Sequence, residues 1–187
     1  MTATITELET PRLRLRQWLA KDYAAYAAMC ADEDVMRYFP RPLTRSESNS
    51  KIQKMQKLIK ENGWGFWAVE LKESGELIGL TGLNKPRDLP FLKGIEVGWQ
   101  YKVSAWGQGY ATEAAKYALE FGFDSLALKN IIAFTAEINQ PSRAVMQRLG
   151  MQKTAKDFAH PGVPDGNPLK QHVLYTISNE DWLQQKN

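Results

Sequence analysis

The chain is poor in the residues that most readily betray a chemistry. Its 187 residues hold one cysteine, Cys30, which excludes an internal disulfide and any cysteine-built zinc cluster. Histidine is almost as scarce: His160 and His172 are the two copies, with no cysteine or close acidic pair beside them, so no metal centre is expected. No apolar run approaches the roughly 18 residues that cross a bilayer, and Met1 to Thr10 lacks the apolar stretch of a signal peptide. The expectation is a soluble, cytoplasmic protein with no membrane partner. Charge of one sign is lacking too. Lys and Arg number 24 against 21 Asp and Glu, a net charge of +3, without the clustered excess that marks a nucleic-acid binder. Internal repeats, low-complexity tracts and linkers are missing as well.

What remains is ordinary globular material, 43% apolar and 11% aromatic, enough for a sizeable core. It is read as one domain over residues 1–187. Leu13-Arg14-Leu15-Arg16 alternates with the period of a half-buried strand after Pro11. Ala20 to Asp32 carries Tyr23, Tyr26, Ala27 and Cys30 at helical spacing, which predicts a helix with Cys30 in the core. Thr44 followed by Glu47 forms a capping-box pattern ahead of a helix with Ile52, Met55, Leu58 and Ile59 on one face, ending near Gly63. Lys51, Lys54, Lys57 and Lys60 then read as its solvated face. Trp64–Leu71 and Leu77–Leu83 read as strands around a turn, with Trp64 and Trp67 in the sheet core, and Ile95–Tyr101 as a further strand. A long helix is expected from Tyr110 to about Leu126, a strand over Asn130–Ile138, a short helix over Pro141–Leu149 closed by Gly150, and two strands to finish, the last Gln171–Ser178. That order indicates an α/β (α+β) sheet protein.

The segment Ser104-Ala105-Trp106-Gly107-Gln108-Gly109-Tyr110-Ala111-Thr112-Glu113-Ala114 joins a strand to a helix. Two glycines one residue apart allow a tight turn whose N–H groups point one way, and the helix start adds its own unpaired N–H groups and dipole. The combination suits a phosphate or pyrophosphate. It is not a mononucleotide P-loop, because no Lys-Ser/Thr follows Gly109, and it lacks the third glycine of a dinucleotide fingerprint, where Thr112 stands. On spacing alone, a turn that merely joins strand to helix explains the glycines equally well.

Four motifs in order carry a resemblance that covers Thr10 to about Asp181. They are Thr10-Pro11-Arg12-Leu13-Arg14-Leu15-Arg16; Ile95-Glu96-Val97-Gly98-Trp99; Trp106-Gly107-Gln108-Gly109-Tyr110-Ala111-Thr112-Glu113-Ala114; and Asn139-Gln140-Pro141-Ser142 with Arg148-Leu149-Gly150-Met151. Together they resemble the GNAT acyl-CoA N-acetyltransferase superfamily, in particular its Rim-type (RimJ/RimL-like) branch, which includes ribosomal-protein N-terminal acetyltransferases. The resemblance implies a strongly bent mixed sheet of about seven strands with helices on both faces, its fourth and fifth strands splayed around acetyl-CoA. It places Trp99 and Tyr101 where backbone groups meet the pantetheine arm, and Trp106, Gly107, Gln108, Gly109, Tyr110, Ala111 and Thr112 at the pyrophosphate. Asn139 falls at a pantetheine hydrogen bond and Ser142 near the thioester sulfur. Two departures stand out. Trp106 replaces the Gln or Arg of many relatives, and Met146 replaces a tyrosine that some relatives use to protonate the leaving thiolate.

Acetyl transfer to an amine needs a neutral nucleophile, a polarised thioester and a proton for the thiolate. Glu96, polar in an otherwise apolar strand, is the first candidate for the base, with Glu137 in reserve. Its alternative is an ordinary polar residue on a solvated face. Ser142 is the candidate proton relay to the thiolate, or simply a helix N-terminal residue. His160 and His172 flank a Pro/Gly-rich segment that, in this family, borders the acceptor groove, so they are candidates for acceptor binding or base catalysis, against a plain surface loop. The expected function is acetyl transfer from acetyl-CoA to a primary amine, above all a protein N-terminal α-amine, by direct attack in a ternary complex, with a homodimer left open. A non-catalytic acyl-CoA-binding module and a small-molecule acetyltransferase are the alternatives.

Overall fold

The apolar alternation is realised as strands and the 3.6-residue spacing as helices, in a computed structural model that describes residues 3–186. The elements are β1 (Leu8–Glu9), β2 (Leu13–Arg16), α1 (Asp22–Ala31), α2 (Arg45–Asn62), β3 (Phe66–Leu71), β4 (Leu77–Asn84), β5 (Ile95–Tyr101), α3 (Tyr110–Asp124), β6 (Asn130–Ala136), α4 (Gln140–Arg148), β7 (Gln152–Lys153), β8 (Phe158–Ala159), β9 (Gln171–Ser178) and α5 (Asn179–Lys186). This is the expected α/β class. The described strands number nine rather than about seven: β1, two residues long, is too short to leave a periodic signature, and the strand expected before Gln171–Ser178 is split into β7 and β8, two residues each. The chain divides into two compact units, Met1–Leu83 with Gly98–Ala118, and Asn84–Val97 with Leu119–Asn187; it passes between them at the end of β4, inside β5 and inside α3.

In the first unit β1, β2, β3 and β4 pair antiparallel in chain order. Leu13 and Leu15 of β2 are fully buried, as the alternation requires. Arg16, on the opposite side, is buried as well, and it stays charged because it is fully paired. Its guanidinium donates to both carboxylate oxygens of Asp22, at 2.7 and 2.9 Å, and twice to Glu70 Oε2, at 2.9 and 2.6 Å. Removing one partner from such a buried pair costs about 3–5 kcal/mol. Helix α2 begins with the capping box read in the sequence: Thr44 Oγ1 accepts from the Glu47 N–H while Glu47 accepts from the Thr44 N–H. It ends at Gly63, whose φ of +85° is the left-handed cap glycine alone adopts freely. Ile52, Met55 and Ile59 form its buried face, and Cys30 and Trp67 are core residues with no exposed surface. One lysine departs from the expected solvated face: Lys51 is half-buried, its ammonium 5.8 Å from the Tyr26 ring centre and 5.7 Å from that of Phe39.

The second unit is organised by β9. It pairs antiparallel with β6 over seven residue pairs, from Asn130↔Ser178 to Ala136↔His172, and also carries β7 and β8. Ile131, Ala133, Val173, Tyr175 and Ile177 fill one side and are buried. The opposite side, with Ile132, Phe134, His172, Leu174 and Thr176, is less completely covered. The ladder of β5 with β6 is parallel, which makes the pairing mixed, and it holds only Ile95↔Ile131 and Glu96↔Ile132. Helix α5 has no counterpart in the sequence reading. Its eight polar-rich residues are docked by one buried side chain, Trp182, against Phe123, and started by Ser178, whose Oγ accepts from the Asp181 N–H at 3.0 Å. Among the described residues no helix is long and apolar enough to cross a membrane.

Candidate functional site

The first unit holds the glycine turn. Gly107 and Gly109 have φ of +73° and +77°, so the turn needs glycine at both positions, and a Cβ at Gly107 would point into open space. Among the described residues, the N–H groups from Gly107 to Thr112 meet no protein acceptor; the first helical bond is Glu113 N–H to Gly109 O at 3.0 Å. Successive unpaired donors at the positive end of a 15-residue helix form a cradle for an anion. Residues far away in sequence brace the turn. Glu113 accepts from Thr10 Oγ1 at 2.5 Å, from the Arg12 N–H at 3.0 Å and from Arg12 Nε at 2.6 Å. Arg12 also donates to the Gln108 carbonyl at 3.0 Å and lies 4.5 Å over the Tyr110 ring. Burial alone would raise the Glu113 pKa, but the donors from Thr10 and Arg12 outweigh it and hold the carboxyl below its ordinary value.

Upstream of the turn, Trp99 is half-buried and Tyr101 buried, its hydroxyl 2.7 Å from Thr81 Oγ1 and its pKa raised by that burial. Trp106 is 45% exposed, yet its indole N–H donates to the Tyr101 carbonyl at 2.9 Å. The Trp106 ring therefore staples the turn to the end of β5. The bond also uses one acceptor position of the Tyr101 carbonyl.

The second unit holds the acid. Glu96 is half-buried on the less covered side of the sheet. Asn84 Nδ2 donates to its Oε1 at 2.7 Å. Burial is the largest influence on its pKa and outweighs that bond; Asp88 adds repulsion, and the carboxyl is pushed up to about 7. Such a group changes protonation near neutral pH, which suits a general base.

Asn139 caps α4. Its Oδ1 accepts from the Ser142 N–H at 3.2 Å, and its amide donates to Thr135 Oγ1 at 2.8 Å and to Ser142 Oγ at 3.2 Å. Both amide hydrogens are committed, leaving one lone pair of Oδ1 for any ligand. Ser142 accepts through Oγ and keeps its own hydroxyl hydrogen to donate. Met146 is buried, and Glu137 is exposed.

His160 and His172 are brought face to face, ring centres 4.7 Å apart. Burial, reinforced by the neighbouring His160, pushes His172 down to about 4, and burial with Lys170 nearby lowers His160. Two such imidazoles are neutral at physiological pH and weak as bases, so the pair suits contact rather than proton abstraction. Among the described residues, no group of three His, Cys, Asp or Glu side chains is arranged to hold a metal.

The structure thus keeps Trp99, Tyr101 and the Trp106–Thr112 turn in one unit, and Glu96, Asn139, Ser142, His160 and His172 in the other. Sequence reading missed Asn84, Thr10, Arg12 and the brace formed by Glu113. Each acts through a contact between residues distant in the chain, and nothing in local periodicity marks it.

Comparison with known proteins accords with this geometry. The Acetyltransferase (GNAT) domain pattern matches residues 12–152. An N-acetyltransferase of Bacillus subtilis, YnaD, is 31% identical over 94% of this chain and 98% of its own length. A GNAT-family acetyltransferase of Bacillus anthracis has the same fold, with a TM-score of 0.78 and 28% identity over 94% of this chain and 99% of that one. The fold is also that of the ribosomal-protein-S5-alanine acetyltransferase from Vibrio fischeri, at a TM-score of 0.75 and 20% identity over 95% of this chain and 98% of that one.

Proposed function

The chain belongs to the GNAT acetyltransferase family and is an acyltransferase; from that premise we propose that it moves an acetyl group from acetyl-CoA to the α-amine of a peptide or protein N-terminus, by direct attack in a ternary complex. The observation that carries this reading is the Glu96 carboxyl, held by Asn84 and raised to about 7. An α-amine, with pKa near 7.7–8.0, lies about one unit above that base, whereas a lysine amine near 10.4 lies more than three units above it. Proton transfer between near-matched groups needs little driving force, so the carboxylate is a competent base for the α-amine.

Each remaining group then has a defined task. Acetyl-CoA supplies the thioester. The N–H groups of Gly107 through Thr112 and the dipole of α3 hold its pyrophosphate, with Arg12 and Glu113 keeping the turn in shape. Glu96 takes the amine proton as the nitrogen attacks the carbonyl carbon and the carbon–sulfur bond breaks. Ser142, its hydroxyl hydrogen unspent, donates toward the departing thiolate, and the capping amide of Asn139 fixes that hydroxyl. Cys30, fully buried, has no part in a covalent route.

Calorimetric titration with acetyl-CoA, followed by turnover on peptides with free and N-blocked termini, tests this reading. Binding of acetyl-CoA but not ATP or NADH, with acetylation lost on blocked peptides, is expected. Equal acetylation of blocked, lysine-containing peptides would overturn the N-terminal assignment.

A further inference from the structure

The strand registers place an aromatic nest beside the acid. Glu96 pairs with Ile132, Phe134 lies two residues further along β6 on the same face, Ala136 pairs with His172, and His172 pairs with Phe158. Paired residues share a face, so Glu96, Phe134, His172 and Phe158 all stand on one side of the sheet. Phe134 lies just past the Glu96↔Ile132 pair that ends the β5–β6 ladder. The rings are in contact: Phe134 to Phe158 at 5.9 Å, Phe158 to His172 at 5.5 Å, and His160 to His172 at 4.7 Å. Phe91, from the loop between β4 and β5, closes the row edge-on to Phe158 at 5.2 Å and 71°, and is 52% exposed.

The polarity of this row runs one way. The acid stands at one end. Along the rest, the two imidazoles bond, among the described residues, to backbone: His160 Nδ1 accepts from the Gly162 N–H and His172 Nδ1 lies 3.4 Å from the Lys170 carbonyl. The Lys170 ammonium is engaged by Val163 O and Asp165. The Asp88 carboxylate acts on Glu96 itself. An amine at the acid end would therefore extend its remaining atoms over neutral π-faces and edges, which attract another ring in offset or edge-to-face contact and give no ion pair to a charged side chain.

We propose that Phe91, Phe134, Phe158 and the His160–His172 pair form the subsite for the first side chain of the acceptor, and that the enzyme prefers N-terminal residues bearing an aromatic ring. This rests on Glu96 receiving the proton of the acceptor amine. The subsite disfavours acidic first residues, because the ammonium beside it, that of Lys170, is already paired with Asp165 and the Val163 carbonyl.

The test compares kcat/KM for tripeptides differing only in the first residue, Phe, Ala, Glu or Lys, with wild type and Phe91→Ala. The expected result is a preference of about tenfold or more for Phe over Ala, and a larger one over Glu. Phe91→Ala, which removes an exposed ring, is expected to cut the Phe-over-Ala ratio about fivefold, through KM. Equal kcat/KM for Phe and Ala peptides, or a preference for Glu, overturns the proposal. Phenethylamine, butylamine and spermidine, titrated into the desulfo-CoA complex and followed by ligand-observed NMR, separate it from the N-terminal reading. If no peptide is acetylated yet phenethylamine binds tighter than butylamine and Phe91→Ala erases the difference, the subsite stands and the peptide assignment falls. If neither amine class shows a ring preference, the subsite falls.

Discussion

Replacing Glu96 by Gln separates what the carboxyl does for the chemistry from what it does to the fold. In the folded protein its pKa is raised from 4.5 to about 7, chiefly by burial. The unfolded chain returns the group to its ordinary value. Between those limits the native state binds more protons than the unfolded state, so this group's contribution to stability falls as pH rises from about 4.5 to about 7. Below the window both states are protonated and nothing is lost; above it the whole cost of an ionised, half-buried carboxylate is present. At about 1.36 kcal/mol per pKa unit the shift amounts to about 3 kcal/mol, and partial solvent screening brings the expected figure to about 2 kcal/mol. Gln removes the titration and keeps an amide oxygen to accept from Asn84. For a chain of this size, each kcal/mol moves Tm by about 2–4 °C. Thermal melts near pH 8 are therefore expected to show Glu96→Gln gaining about 4–8 °C on wild type relative to the same comparison near pH 5. Turnover near pH 8 is expected to fall about a hundredfold as the base is lost. A Tm difference that is the same at both pH values would refute the burial argument, and unchanged turnover would refute the base.

Two further substitutions probe the neighbours of these groups. Asn84→Leu removes the donated bond that holds the Glu96 pKa down against burial and Asp88, so the acidic limb of the kcat/KM profile should move to higher pH; a limb that stays in place would mean that another group controls the rate. Gly109→Val forces a β-branched residue to φ near +77°, at a cost of about 1–2 kcal/mol, and reshapes the N–H cradle. Calorimetry should find acetyl-CoA affinity reduced about tenfold or more in a protein that still folds, and an unchanged Kd would show that the anion is held elsewhere.

Local physics wrote much of this protein into its sequence. The capping box of Thr44 and Glu47, the left-handed stop at Gly63, the seven residues of β5 and the Gly107–Gly109 turn are each decided by neighbours a few residues apart, and each was legible there. The odd carboxylate in an apolar strand was visible too, and so was the order of motifs that resembles the acetyltransferase family. The acidity of that carboxylate was not visible, because it depends on burial and on Asn84, brought to 2.7 Å from another strand. The brace of the anion turn was hidden for the same reason: Arg12 and Glu113 are 101 residues apart in the chain. The two histidines read as a surface loop or an acceptor contact until β8 and β9 paired and set their rings 4.7 Å apart. Spacing along the chain fixes which backbone conformations and faces are available. Which faces meet, and how far water is excluded where they do, is decided only when strands distant in sequence pair, and pKa values and ring contacts depend on that exclusion.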